Sequence, residues 1–266
     1  MLSNFISRNI LNTVKQRIER LGITPQLQVI KTTTRADSEA YIRRKARTLQ
    51  SVGISCVIHD LSNEPPKAIL PLLRELNANP QIKAILVQMP LADPTLESTV
   101  MASIAPEKDV DGFNPVNIFA PEGIKSCTPA GIMELLGELG VKLSGLDVCV
   151  IGKSRVVGLP LTLRLLEAGA TVTCCHRATV DLRSKCQTAD LLIVAAGSPN
   201  LIQGDWVKPG AIVIDVGINS VAGKICGDVD YASVSPTASF VTPVPGGIGP
   251  LTVACLARNV LKCHER

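Results

Sequence analysis

The chain has few aromatic residues. One Trp, two Tyr and four Phe make up 3% of its 266 residues, which leaves few flat surfaces for stacking nucleic-acid bases. The net charge is only +4, an excess that a polyanionic small ligand explains, so no nucleic-acid partner is expected. No apolar stretch reaches the roughly 18 residues needed to cross a bilayer, and no membrane association is expected. The start, MLSNFISRNILNTVKQRIERLG, lacks an apolar core followed by a small-residue cleavage site. Its Ile10, Leu11, Val14, Ile18 and Leu21 follow the spacing of an amphipathic helix instead. Histidine is scarce too. His59, His176 and His264 lie far apart and the nine cysteines form no C-x-x-C pair, so no metal site is expected. Cys56, Cys149, Cys174 and Cys255 stand in apolar runs, the pattern of small core residues in a reducing, cytoplasmic compartment.

With 46% hydrophobic and 19% charged residues the chain has a globular composition, and its length suits two domains. Residues 1–125 alternate helical patterns with the short apolar runs Leu27–Ile30, Ser55–Ile58 and Ala84–Val87. That alternation predicts an N-terminal α/β domain with a mainly parallel sheet. Thr128-Pro129, a capping threonine before a first-turn proline, predicts a linker helix. Residues 126–250 then carry strands at Val148–Ile151, Thr171–Cys174, Leu191–Ala195 and Ala211–Val216, the sequence of a Rossmann-like, doubly wound NAD(P)-binding domain. A closing helix over 251–266 is expected to pack back on the first domain, with a cleft between the two.

The strand Asp147–Ile151 runs straight into GKSRVVGLP. Gly152 and Gly158 permit a tight turn, and the N–H groups at the following helix start favour a pyrophosphate. The spacing is G-x-S-x-x-x-G rather than G-x-G-x-x-G, with Ser154 in place of one glycine. NAD-binding sites usually carry a carboxylate at the end of the next strand, where it meets the ribose hydroxyls. Here that strand ends in His176-Arg177, and a guanidinium can fork onto a 2′-phosphate, so NADP is expected rather than NAD. Lys153 offers a second cation. The expected cofactor-binding set is Gly152, Lys153, Ser154, Arg155, Val157 and Gly158 in the loop, His176, Arg177 and Thr179 after the next strand, and Gly197, Ile218 and Thr252 beyond. The Pro/Gly run Thr242–Thr252, including Pro245, Gly246 and Gly247, is either a stiff hinge or a direct ligand contact.

In the first domain, Asp37 or Ser38 reads as a helix cap. Ser38, Tyr41 and Lys45 then share one helix face. A lysine in a desolvated cleft, or beside a cationic substrate, loses its proton more readily and can take part in proton transfer. The alternative is a surface lysine among Arg43, Arg44 and Arg47. Gln88 emerges at the carboxyl end of a strand, where sites lie in open parallel sheets. Asp109 and Asp111 stand on a turn near the domain junction. One of them can receive two parallel N–H donors from a heterocycle, while aspartate before glycine also serves simply to cap a turn.

These motifs together resemble the bifunctional methylenetetrahydrofolate dehydrogenase/methenyltetrahydrofolate cyclohydrolase family over essentially the whole chain. The family's Ser-x-x-Tyr-x-x-x-Lys appears as Ser38, Tyr41 and Lys45, its Val-Gln-Leu-Pro-Leu-Pro as Val87–Ala92, and its Pro-x-Lys-Asp-Val-Asp-Gly-Phe as Pro106–Phe113. Cys127–Gly131, Gly152–Pro160 and Pro243–Thr252 complete the match. The resemblance implies oxidation of 5,10-methylenetetrahydrofolate with NADP, hydrolysis of the methenyl product, and a homodimer. It implies Lys45 as the proton-transfer residue, Gln88 as its orienting partner, Tyr41 stacked on the folate and Asp111 on the pterin, with Ser38, Pro245, Gly246 and Gly247 also on the substrate. The chain departs from the pattern on the folate side, with Thr33-Thr34 where the family has Gly-Asp, no histidine in Pro90–Pro94 and Ser3-Asn4 in place of the starting strand and its Asp-Gly turn, and it keeps Lys45, Gln88 and Asp111. A monofunctional dehydrogenase and a non-catalytic dinucleotide sensor are the competing readings.

Overall fold

The computed structural model describes residues 2–120 and 122–266, the side chain of Asp37 excepted. Two compact units emerge: Ser7–Cys127 with Val253–Arg266, and Thr128–Thr252 with the first residues of the chain.

The first unit is built on a three-stranded parallel sheet of order β2-β1-β3, from β1 (Gln26–Lys31), β2 (Ser55–Asp60) and β3 (Ile85–Val87). Parallel strands are joined by crossovers. Helix α2 (Ala36–Gln50) links β1 to β2 and α3 (Ile69–Ala78) links β2 to β3, with α1 (Leu2–Leu21) ahead of them and α4 (Glu97–Ser103) and α5 (Pro115–Phe119) behind. Ile30, Ile85 and Val87 pack with Ile69, Leu73 and Leu76 of α3 and Val100 of α4 into a buried cluster. β1 lies in the middle and carries the buried run Leu27–Ile30, whereas β2, at the edge, leaves Val57 and Ile58 exposed.

The second unit contains a five-stranded parallel sheet of order β10-β7-β6-β4-β5, from β4 (Asp147–Ile151), β5 (Thr171–Cys175), β6 (Leu191–Val194), β7 (Ile212–Asp215) and β10 (Phe240–Val241). A small hairpin, β8 (Asn219–Val221) with β9 (Lys224–Cys226), follows β7. The helices are α6 (Cys127–Glu138), α7 (Gly158–Glu167), α8 (Leu182–Gln187) and α9 (Tyr231–Val234), and α10 (Ile248–His264) starts here and continues from Val253 as part of the first unit. Leu191–Val194 of β6 is buried throughout, as a central parallel strand covered on both faces must be. None of the described helices is long and apolar enough to cross a membrane.

Local details differ from the sequence reading. Helix α2 begins at Ala36 with Arg35 in the cap position and no side-chain cap bond, so Asp37 and Ser38 lie inside its first turn; the side chain of Asp37 is outside the described set. Thr128 is likewise within α6, which starts at Cys127, and its hydroxyl shares a hydrogen bond with that of Thr252 at 3.1 Å instead of capping. Cys149 and Cys255 are core residues as read, but Cys174 is exposed and Cys56 only partly buried. Both stand on edge strands, where one face meets solvent.

Candidate active site

In the first unit, α2 runs behind β1 and turns Tyr41 and Lys45 toward the same place. The Lys45 ammonium sits 4.5 Å from the centroid of the Tyr41 ring, a cation–π approach one helical turn long. Lys45 is 9% exposed and Gln88 7%, so the surface-lysine alternative does not describe this position. Lys45 Nζ donates to Gln88 Oε1 at 3.2 Å, and Gln88 Nε2 donates to the Met89 carbonyl at 2.7 Å. That second bond fixes which face of the amide the lysine meets. Ser38 is buried in the first turn of the same helix.

Asp109 and Asp111 have separate tasks. Asp109 is fully buried and accepts from the backbone N–H of Gly112 (3.1 Å) and Asn114 (2.7 Å) and from Asn117 Nδ2 (3.1 Å). It closes the turn, and burial still lifts its carboxyl to about 6 against those three donors. Asp111 faces Tyr41, Lys45 and Cys127. Burial raises its pKa while the Lys45 cation and the Cys127 thiol act the other way. Burial, and then the Asp111 charge, also raise the Tyr41 hydroxyl, so the phenol keeps its proton at any working pH.

The same motif is tied down by two anchors that sequence reasoning missed. Lys108 Nζ donates to the carbonyls of Leu76, Asn77 and Asn79 at 3.1, 2.6 and 2.8 Å, satisfying the last turn of α3. Asn259, from α10, donates through Nδ2 to the carbonyls of Val110 (2.8 Å) and Lys125 (2.9 Å). Neither role leaves a periodic signal, since each joins residues far apart in sequence.

In the second unit the loop after β4 presents Lys153, Ser154 and Arg155 to solvent. Gly158 opens α7, and no side chain caps that helix. Gly152 takes φ +112°, and a Cβ on either glycine would strike backbone oxygen: Ala195 O at Gly152 and Gly152 O at Gly158. These glycines therefore serve close approach of the chain to itself, which seats the helix start against the strand ends. After β5, His176 N–H donates to Thr179 Oγ1 (2.8 Å), Thr179 N–H to the His176 carbonyl (2.8 Å) and Ala178 N–H to His176 Nδ1 (3.2 Å). This closed turn holds exposed Arg177 at its tip. The arrangement suits a dinucleotide with a 2′-phosphate, offering an open helix start for its diphosphate and a guanidinium one strand away.

Gly197 and Ile218 follow β6 and β7, Ile218 exposed. Behind them Asp215, at the end of β7, accepts from the backbone N–H of Gly217 (2.9 Å), Asp228 (3.0 Å) and Val229 (3.0 Å), and burial lifts its carboxyl to about 6. Pro245 and Gly246 form a turn and Gly247 leads into α10. A Cβ at Gly247 would meet the Pro243 carbonyl at 2.6 Å. Val157 occupies the cap position of α7, and Thr252 Oγ1 bonds back to the Ile248 carbonyl at 3.3 Å.

Comparison with known proteins points one way. Residues 1–111 match the family described as tetrahydrofolate dehydrogenase/cyclohydrolase, catalytic domain, and residues 126–266 match its NAD(P)-binding domain. The bifunctional protein FolD of Nitrosomonas eutropha is 44% identical, with 98% of this chain and 92% of that protein covered. Among solved structures, bifunctional FolD from Campylobacter jejuni is similar with a TM-score of 0.92 and 40% identity, covering 99% of this chain and 96% of that one. The Trypanosoma brucei dehydrogenase-cyclohydrolase, solved with NADP cofactor and inhibitor, gives a TM-score of 0.91 at 34% identity, covering 100% and 95%.

Proposed function

Because the chain belongs to the tetrahydrofolate dehydrogenase/cyclohydrolase family, we propose how its own residues divide the two reactions. The protein is an NADP-dependent enzyme of folate one-carbon metabolism. It oxidises 5,10-methylenetetrahydrofolate to 5,10-methenyltetrahydrofolate and hydrolyses that product to 10-formyltetrahydrofolate. Residues 1–125 with 251–266 serve the folate, and 126–250 the dinucleotide.

The observation that carries the assignment is buried Lys45, held against Tyr41 and tied to Gln88. NADP, when bound, supplies the acceptor for the hydride that leaves the methylene carbon. That oxidation gives an amidinium cation directly, so the protein's task there is positioning. The Tyr41 ring packs on the folate. Asp111 accepts from the pterin amino group and ring N–H as one carboxylate meets two parallel donors. Ser38 and the Pro245–Gly247 turn complete the substrate contacts. In hydrolysis, water adds to the methenyl carbon and gives up a proton, and the bond from that carbon to N5 breaks to leave the formyl group on N10; Lys45 Nζ carries the proton that moves, while Gln88 Oε1 holds the amine in place. Gly152–Ser154 and Gly158 hold the diphosphate, with Arg155 and Val157 beside them. His176, Arg177 and Thr179 hold the 2′-phosphate end, and Gly197, Ile218 and Thr252 the remainder. We further place the protein in the cytoplasm as a homodimer.

The test is an assay of the purified protein with 5,10-methylenetetrahydrofolate and NADP⁺ or NAD⁺, following reduced nicotinamide and methenyl-folate separately. Reduced NADP without accumulation of methenyl-folate, together with direct hydrolysis of supplied methenyl-folate, is expected. Accumulation identifies a monofunctional dehydrogenase, and folded protein that turns over neither substrate is a sensor.

A further inference from the structure

Every backbone N–H from Ala195 to Asn200 is used inside the protein. Ala195 donates to the Ile151 carbonyl (2.7 Å) and Asn200 to the Gly227 carbonyl (3.2 Å), while Pro199 has no N–H to give. The three between them converge on one side chain. Ala196 and Gly197 donate to Asp228 Oδ2 at 2.6 and 2.9 Å, and Ser198 to Oδ1 at 2.9 Å. Asn219 Nδ2, from the first residue of β8, reaches the same Oδ1 at 2.8 Å.

Successive N–H groups of this kind make a concavity that attracts anions. Here the protein fills it with its own fully buried carboxylate. The main chain of the loop therefore has only acceptors to offer a ligand, and no backbone donor is left there for a phosphate. The strand order says which part of a dinucleotide lies nearby. β5, with Arg177 at its end, flanks β4 on one side, and β6 and β7 lie on the other. A diphosphate at the start of α7 then sends the adenosine half over β5 and the other half over β6 and β7.

We infer that Asp228 is a positioning residue for the nicotinamide half of the cofactor: by taking up the amides of Ala196–Ser198 it turns the loop after β6 into an acceptor surface for a carboxamide and a cationic ring. This rests on the dinucleotide reading above. Asp228 is built in tightly. A Cβ at Gly217 would run into its carboxylate, so only glycine fits beside it.

The experiment is calorimetric titration of wild type, Asp228→Asn and Asn219→Ala with NADP⁺ and with adenosine 2′,5′-bisphosphate, which carries only the adenosine end. Asp228→Asn places an amide donor against amide donors. It should weaken NADP⁺ by at least about tenfold and leave the bisphosphate within about twofold; Asn219→Ala, losing one donor, should weaken NADP⁺ by about threefold in the same selective way. Equal loss of both ligands, or unchanged NADP⁺ affinity in folded Asp228→Asn, overturns the inference. Amide hydrogen exchange in ligand-free wild type gives a check that needs no variant: slow exchange at Ala196, Gly197 and Ser198 is expected, and fast exchange there also overturns it. Wild type that binds neither ligand removes the dinucleotide reading and this inference with it.

Discussion

In the first unit the groups proposed to react are long side chains drawn inward, Lys45 onto Tyr41 and Gln88. On the dinucleotide side Lys153 and Arg177 stand in solvent at the tips of loops, and the buried carboxylates Asp215 and Asp228 hold neighbouring loops from behind. Both units bury an aspartate in backbone N–H groups to shape a turn, Asp109 in one and Asp228 in the other. The difference lies in where the working group stands. Proton transfer needs a desolvated amine with a fixed partner, whereas phosphate recognition needs a cation that can meet a polyanion arriving from water.

The strongest way to break this contrast is Lys45→Met. Hydrolysis of methenyl-folate should fall by at least about 100-fold, with a far smaller loss of dehydrogenase rate in separate assays. A parallel loss of both would recast the lysine as a substrate anchor. Asn259→Ala asks whether the folate side depends on its buried scaffold. Two carbonyls lose their donor, so urea unfolding should show a stability loss of about 2 kcal/mol; no change would mean that Val110 and Lys125 find other partners. Arg177→Ala sharpens the dinucleotide half. NADP⁺ affinity should drop by about tenfold while NAD⁺ affinity holds, and unaltered discrimination would move the phosphate contact to Lys153.

A pH series tests the two aspartates at about 6, Asp109 and Asp215. Each is raised above the ordinary value of 3.8, so between roughly pH 4 and pH 6 the folded state binds more protons than the unfolded chain. Stability should decline as pH rises through that window and then level off. Urea midpoints that climb steadily from pH 4.5 to pH 7 would contradict this.

Much of this was legible in the residues. Strands such as Leu191–Val194 are continuous apolar runs that only a doubly covered strand tolerates, and Ser38, Tyr41 and Lys45 share a face by spacing alone. Helix starts were less legible. Asp37 and Ser38 are good caps in isolation, yet the turn that brings the chain off β1 begins the helix at Ala36. Asp228, Asn259 and Lys108 were not legible, because each satisfies backbone groups from segments distant in sequence, and a polar residue in a turn looks the same whether it faces water or a ring of amides.

The last fourteen residues have a consequence for synthesis. Gln26 N–H is accepted by His264 Nε2, Arg17 pairs with Glu265, and Asn259 holds the main chain of Val110 and Lys125. These are contacts within the unit whose main body is Ser7–Cys127. A ribosome therefore emits most of that unit first and its closing pieces last, with all of Thr128–Thr252 made in between. The unit whose main body is made before Thr128 must wait for the pieces made after Thr252 to finish folding.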